Sequence, residues 1–204
     1  MGWAAAKAAT DPVSRLYTVS AFANAGSDLI ATVKQAKEFG VSGGKQTFAA
    51  FATYISDIHS LGLSDAKGLM FISVFYWDLN PKTRDFAKRF EVLRPGRMPS
   101  QGHAATYSSL TSYFTAAKQV GSTKEGANIV KNMRERGAFD DPLFGRTTVR
   151  IDGRAMYQTY LVKVKTPEES KGGWDYYNIV HKIPADQAFR TLKESKAAGC
   201  TLVP

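Results

Sequence analysis

The stretch Leu16-Tyr-Thr-Val-Ser-Ala-Phe-Ala-Asn-Ala-Gly-Ser-Asp-Leu29, running on through Val33, Ala36 and Phe39 to Gln46-Thr-Phe-Ala-Ala-Phe-Ala-Thr-Tyr54, decides how this chain is read. Leu16 to Phe22 is rich in residues that suit a pleated, half-buried surface, and it predicts a strand. Asn24, Ala25 and Gly26 predict a turn. Ser27 can cap a helix whose first turn is favoured by Asp28, and Leu29, Val33, Ala36 and Phe39 recur at helical spacing until Gly40. Gln46 to Tyr54, with Phe48, Phe51 and Tyr54, predicts a second, buried strand. Strand, helix, strand is the βαβ unit, in which a right-handed crossover joins two parallel strands and ligands meet their carboxyl ends.

Working outward, Gly68 to Tyr76 predicts a third strand, and Asn80 with Pro81 a helix start whose apolar stripe is Phe86, Phe90 and Leu93. After a loop over Arg94 to His103, a helix presents Tyr107, Leu110, Phe114 and Ala117 on one face and stops at Gly121. Another follows near Thr123 to Arg136. From Arg146 the pattern changes to short strands: Thr147 to Ile151, a turn at Asp152 and Gly153, Met156 to Lys165, and Trp174 to Ile183. The link from Thr166 to Gly173 is too long for a tight hairpin, so these last two strands pair through a wide loop or lie apart. A short helix near Ala185 to Lys193 ends the pattern. The fold class expected is α/β, with no repeat and no low-complexity tract.

At 204 residues the chain is long enough for one large domain or two small lobes, and 44% hydrophobic content is that of a globular protein. The longest apolar run, Leu69 to Trp77, is far shorter than the roughly 20 residues of a membrane helix. A soluble protein is expected. The alanine-rich start, Met1 to Thr10, lacks the charged and apolar regions of a signal peptide. Cys200 is the single cysteine, which excludes an intrachain disulfide. Net charge is +9 and favours anionic partners. Its densest part, Lys82 to Arg97, holds six basic residues against Asp85 and Glu91 and reads as a solvated helix face. A nucleic-acid surface on that run is the alternative reading, and a self-associating interaction domain is another.

Catalytic patterns are missing. His59, His103 and His181 are far apart, with no second ligand at metal spacing. Asp57 and His59, two apart, point to different helix faces. Gly40-Val-Ser-Gly-Gly-Lys-Gln46 is one residue short of a phosphate loop, puts Gln46 where Ser or Thr holds magnesium, and joins a helix to a strand instead of the reverse. The pairs Glu168–Glu169 and Asp140–Asp141 are expected in polar loops where solvent keeps both members ionised. No enzyme and no cofactor are expected.

Taken in order, Ala23-Asn-Ala-Gly-Ser-Asp28, Lys37-Glu-Phe-Gly-Val41, Gly68-Leu-Met-Phe-Ile-Ser-Val-Phe-Tyr-Trp-Asp78, Thr106-Tyr-Ser-Ser109, Asp152-Gly-Arg154 and Trp174-Asp-Tyr-Tyr177 resemble the back half of ABC-transporter solute-binding proteins of the branched-chain amino-acid (Leu/Ile/Val) type. The resemblance runs from about Phe22 to the C-terminus and fits residues 1–20 poorly. It implies part of a type I periplasmic-binding-protein-like fold: two three-layer αβα lobes joined by a hinge, closing on a solute. Residues 21–68 then belong to the second lobe, 69–78 cross the hinge, 79–151 belong to the first lobe, and 152–204 return to the second. It also implies a periplasmic receptor that works with ABC-transporter membrane subunits. With no signal peptide, a chain complete as written would be cytoplasmic.

The resemblance places the solute at the carboxyl ends of the first two strands, on Phe22, Asn24, Ala25, Gly26, Ser27, Phe51 and Tyr54. Amides at the helix start can meet an anion, opposed by the Asp28 side chain, and the aromatics can supply an apolar wall or be plain core. Amino-acid binders of the family place an acidic residue near the end of the second strand, where this chain has Phe51, Ala52 and Thr53. The solute the resemblance implies is an amino acid or a related small organic acid, and with no acidic residue there an aromatic or other organic acid is a fair substitute for the amino acid. The front half, with the carboxylate clamp, has no counterpart here. Leaving roughly 1,000 Å² of apolar surface uncovered would lose about 25 kcal/mol of gross burial, more than a typical domain's net stability. A partner supplying that half, self-association as a homodimer, or repacking is expected.

Overall fold

The structure is a computed structural model and describes residues 19–41 and 46–201. The start of the predicted first strand, Leu16 to Thr18, most of the poorly matched segment 1–20, and the glycine-rich residues 42–45 lie outside the described residues. The elements in chain order are β1 (Val19–Ala25), α1 (Gly26–Glu38), β2 (Thr47–Ala52), α2 (Ile55–Leu61), α3 (Leu63–Ala66), β3 (Met70–Ser73), α4 (Pro81–Leu93), α5 (Gln101–Val120) and α6 (Gly126–Glu135). There follow β4 (Phe139–Asp141), β5 (Gly145–Val149), β6 (Ala155–Met156), β7 (Thr159–Val164), β8 (Tyr177–Ile183), α7 (Ala185–Ala188) and α8 (Leu192–Ala197).

Five strands form the main sheet in the order β1-β2-β3-β7-β8. The first three are parallel, and β7 and β8 add antiparallel strands to the β3 edge. The βαβ reading of Leu16 to Tyr54 thus holds over its described part. One face of this sheet is core. Phe22 lies opposite Ala50, Ala50 opposite Phe71 and Phe71 opposite Val162. All four are buried, together with Leu29 and Val33 of α1 and Ile58 of α2. Burying each large aliphatic side chain there contributes about 2 to 3 kcal/mol.

The other face is open. Side chains alternate across a strand, so Phe51 and Ile72 point away from that core, and both are exposed along with Val19 and Val180. Gln46 to Tyr54 is therefore a one-sided strand, not a buried one. Its aromatic content comes from two faces with opposite fates.

A second, smaller assembly follows β3. Helices α4, α5 and α6 and the antiparallel strands β4, β5 and β6 have their own apolar clusters, one of Phe75, Phe86, Ala104 and Leu143 and one of Ala116, Ala117 and Ile129. Asn80 caps α4, its side chain accepting from Thr83 N at 3.1 Å, with Pro81 at the first helical position as read. Gly121 ends α5 in the left-handed conformation at φ 74°, also as read.

The structure corrects four details of the sequence reading. Ser27 does not cap α1: the strand runs to Ala25, which stands at the cap position without a side-chain hydrogen bond. The buried residues of α5 are Ala104, Ser112, Ala116 and Ala117, while Leu110 and Phe114 are exposed. The helix has two apolar stripes, and the small-residue one allows the closer approach. Residues 55–66 are helical instead of unassigned, and 156–165 are two strands broken at 157–158. The pair β7–β8 does close through the wide loop 166–173.

Candidate functional site

The βαβ unit ends β1 and β2 side by side. Ala25 lies opposite Ala52, so Asn24 to Ser27 and Phe51 to Tyr54 leave the sheet as neighbours. Gly26, at φ 56°, makes the sharp change from strand to helix that a residue with a Cβ resists. No side chain caps α1, so its first N–H groups lack the partners a cap would supply and form an electropositive terminus.

Asn24 braces this corner. Its Nδ2 donates to Thr32 Oγ1 at 2.7 Å and to the Asp28 carbonyl at 3.1 Å, while its Oδ1 is buried without a hydrogen-bond partner. The paired end of β2 carries two aromatics with large exposed surface, Phe51 at 73% on the open face of the sheet and Tyr54 at 41%. Phe22 lies elsewhere: it is buried in the core with its ring 5.1 Å from Phe48. Six of the seven expected residues are thus brought together, and Phe22 is part of the floor beneath them.

Of the acidic groups around this corner, Asp57 is engaged. The backbone N–H of Tyr54 donates to Asp57 Oδ2 at 2.8 Å, which makes Asp57 the capping carboxylate of α2. Asp28 is exposed in the first turn of α1. No acidic residue stands at Phe51, Ala52 or Thr53.

The side of the corner away from β1 is closed by a residue that no sequence pattern singles out. Gln101, the first residue of α5, donates from Nε2 to the Thr53 carbonyl at 3.1 Å. Its Oε1 accepts from Val74 N at 3.1 Å and from the Ser73 hydroxyl at 3.3 Å. One amide side chain therefore ties the ends of β2 and β3 to α5. An amide at a helix start has many possible uses, and only the three-dimensional arrangement selects this one. Tyr54 also leans toward α5, where Gly102 leaves room for its ring. From there an apolar groove of about 680 Å³ runs between α4 and α5, walled by Tyr54, Phe90, Leu93, Tyr107 and Leu110.

The histidines have structural surroundings. His59 stacks on Trp174 with ring centroids 4.0 Å apart, and its Nδ1 lies 2.7 Å from the Tyr176 hydroxyl. His103, expected in a loop, is the third residue of α5, where its Nδ1 meets both N and Oγ of Ser100. His181 is exposed on β8. Among the described residues no cluster of three or more His, Cys, Asp or Glu side chains could hold a metal ion.

Asp141 departs from the solvated-pair reading. It is buried, bonded to Ser108, and accepts from Leu143 N at 2.8 Å and Phe144 N at 3.0 Å, so it builds the turn between β4 and β5. Its neighbour Asp140 is exposed, as read. The basic run falls mostly on α4, where Arg84 pairs with Asp78 at 2.8 Å and Arg89 lies over the rings of Phe86 and Tyr107. The described helices include none long and apolar enough to cross a membrane.

The fold is shared with known proteins. The sequence profile of the periplasmic binding protein family matches residues 16–173. No curated protein sequence matches the chain. A periplasmic binding protein from Burkholderia mallei is 35% identical, superposes with a TM-score of 0.83 over 94% of this chain, and has 49% of its own length covered. A branched chain amino acid ABC transporter periplasmic ligand-binding protein from Burkholderia xenovorans is 34% identical over 92% of this chain and 48% of its own, with a TM-score of 0.79. A solute binding protein of an ABC transporter from Rhodopseudomonas palustris, solved with 3,4-dihydroxy benzoic acid, shares the fold at 17% identity and a TM-score of 0.69, over 90% of this chain and 48% of its own. The chain spans about half the length of these solved relatives. It has the type I α/β fold and belongs to the periplasmic binding protein family.

Proposed function

We propose that the chain is the receptor part of an ABC-type importer and contributes one wall of a cleft for a small aromatic or related organic acid. One observation carries the reading: the uncapped start of α1 follows the strand end that pairs with the end of β2, where Phe51 and Tyr54 are exposed and no acidic residue stands. A carboxylate meets the free N–H groups of Gly26, Ser27 and Asp28, and the aromatic pair covers the apolar body. An ammonium would find only Asp28 nearby, so an α-amino acid is the poorer fit. The same fold holds a dihydroxybenzoic acid in the Rhodopseudomonas protein, so its cleft has room for such a ring.

The receptor works with membrane subunits in the periplasm, and a second α/β half completes the cleft. The division we favour puts β1 to β3, β7 and β8 in one lobe and α4 to β6 in the other, with 69–78 as one crossing and 157–158 as the return. The separate apolar clusters on the two sides of residues 69–78 support it. The open sheet face and the exposed Leu110 and Phe114 support a partner half, since each is apolar surface of the kind a neighbouring layer covers.

The test is an equilibrium titration of the chain, alone and joined to the front half of the Burkholderia mallei relative, with benzoate-type acids and with leucine. Aromatic acids are expected to bind the joined form at least tenfold more tightly than leucine, and Phe51→Ala and Tyr54→Ala each to weaken them severalfold. Equal binding of leucine, or binding indifferent to both substitutions, contradicts the reading.

A further inference from the structure

A second cavity, of about 640 Å³, sits between the β5–β6 turn and the segment 190–200 that carries α8. It shares no residue with the strand-end corner. Three arginines, Arg150, Arg154 and Arg190, reach its wall, together with Ser195 and the backbone of Gly153 and Gly199. Asp152 is the one acidic residue lining it.

That carboxylate is already engaged. Arg150 Nε donates to Asp152 Oδ1 at 2.9 Å, and the second nitrogen of the fork bonds to Oδ2. The remaining terminal nitrogen of Arg150 donates to the Arg190 carbonyl at 2.8 Å, which fixes the chain leading into α8 against the turn. Arg150 and Asp152 thus form a neutral, braced wall. Arg154 is exposed with its guanidinium 5.3 Å from the Phe189 ring centroid, and Arg190 is exposed beside it in the cavity wall. Among the described residues neither makes an ion pair. Glu194 feels the Arg190 charge, but its carboxylate accepts from Thr191 N and Oγ, both at 2.8 Å, and does not line the cavity.

We infer that this cavity is a separate site for a multiply charged small oxyanion, a phosphate or a polycarboxylate, held by the forks of Arg154 and Arg190. Guanidinium forks match the paired oxygens of both ligand types, and the neutral pair behind them adds no repulsion. Ser195 supplies a hydroxyl donor. The site is independent of the solute-binding reading.

The experiment is calorimetric and thermal titration of the whole chain with inorganic phosphate and with citrate, each against sodium chloride at matched ionic strength. Saturable binding is expected for at least one, and the two arms identify which chemistry the site prefers. Arg190→Glu, an exposed change, is expected to abolish that binding while leaving the anion-free Tm unchanged, and Arg154→Lys to weaken it about tenfold. Phe51→Ala, at the strand-end corner, is expected to leave it intact. Thermal shifts that follow ionic strength alone, or binding that survives Arg190→Glu, would overturn the inference.

Discussion

At the scale of single residues, Asp152 and Asp175 each hold a cation and a backbone N–H at once. The Arg150 fork beside Asp152 lowers its carboxyl to about 2 from an ordinary 3.8, working against a smaller effect of burial. Burial acts most strongly on Asp175 and would raise it, but the Lys165 ammonium at 2.5 Å and the Lys171 N–H at 3.0 Å outweigh burial and hold it below the ordinary range. Both groups are therefore lower in the folded chain than in the unfolded one. Such groups contribute stability that is fully present above the unfolded value and is lost as pH falls through the folded value. Tm is expected to fall as pH drops from about 4 toward 2, with Asp152 contributing on the order of 1 kcal/mol after solvent screening. Asp152→Asn should flatten that part of the profile, as followed by circular dichroism. An unchanged slope in the variant would show that the Arg150 pair does not carry the effect.

Secondary-structure elements show what local pattern can and cannot reveal. The β1-α1-β2 unit was legible because its periods and its terminal Gly40 agree, although Asn24 and Ala25, read as a turn, are the last residues of the strand. The capped start of α4 and the left-handed stop of α5 were legible for the same reason: each depends on residues within one turn. By contrast α2 and α3, of seven and four residues, are too short to show a period. The buried face of α5 was misread because Leu110 and Phe114 are the more hydrophobic residues, whereas burial follows which face another element covers. Gln101 belongs to the same class, since its three bonds reach residues 27 to 48 positions away. Gln101→Ala would leave the Thr53 carbonyl and the Val74 N–H without this partner. That is expected to cost about 1 to 3 kcal/mol in urea unfolding and to loosen α5 from the sheet. Gln101→Glu keeps the acceptor for Val74 N but loses the donor for Thr53, so it should recover part of the loss. Stability equal to the parent in both variants would mean that the strand ends and α5 are held by other contacts.

Over the whole molecule, the fold places the expected solute residues at one corner and leaves broad apolar surface beside them. Asn24 to Ser27 and Phe51 to Tyr54 could be paired from sequence because parallel strands joined by a crossover must end together. Phe22 could not be separated from them, because strand alternation assigns a face only once the sheet's core side is known. The open sheet face and the α4–α5 groove were foreshadowed only as a deficit of roughly half a fold. Their positions required the structure. The most direct test of the account is a ¹H–¹⁵N NMR titration of the chain with a benzoate-type acid, which detects even millimolar binding. Saturating shifts of the Gly26, Ser27 and Asp28 amides are expected, together with Asn24 and Tyr54, and Phe51→Ala should need severalfold more acid to reach them. Shifts confined to other parts of the chain, or none at saturating acid, would contradict it.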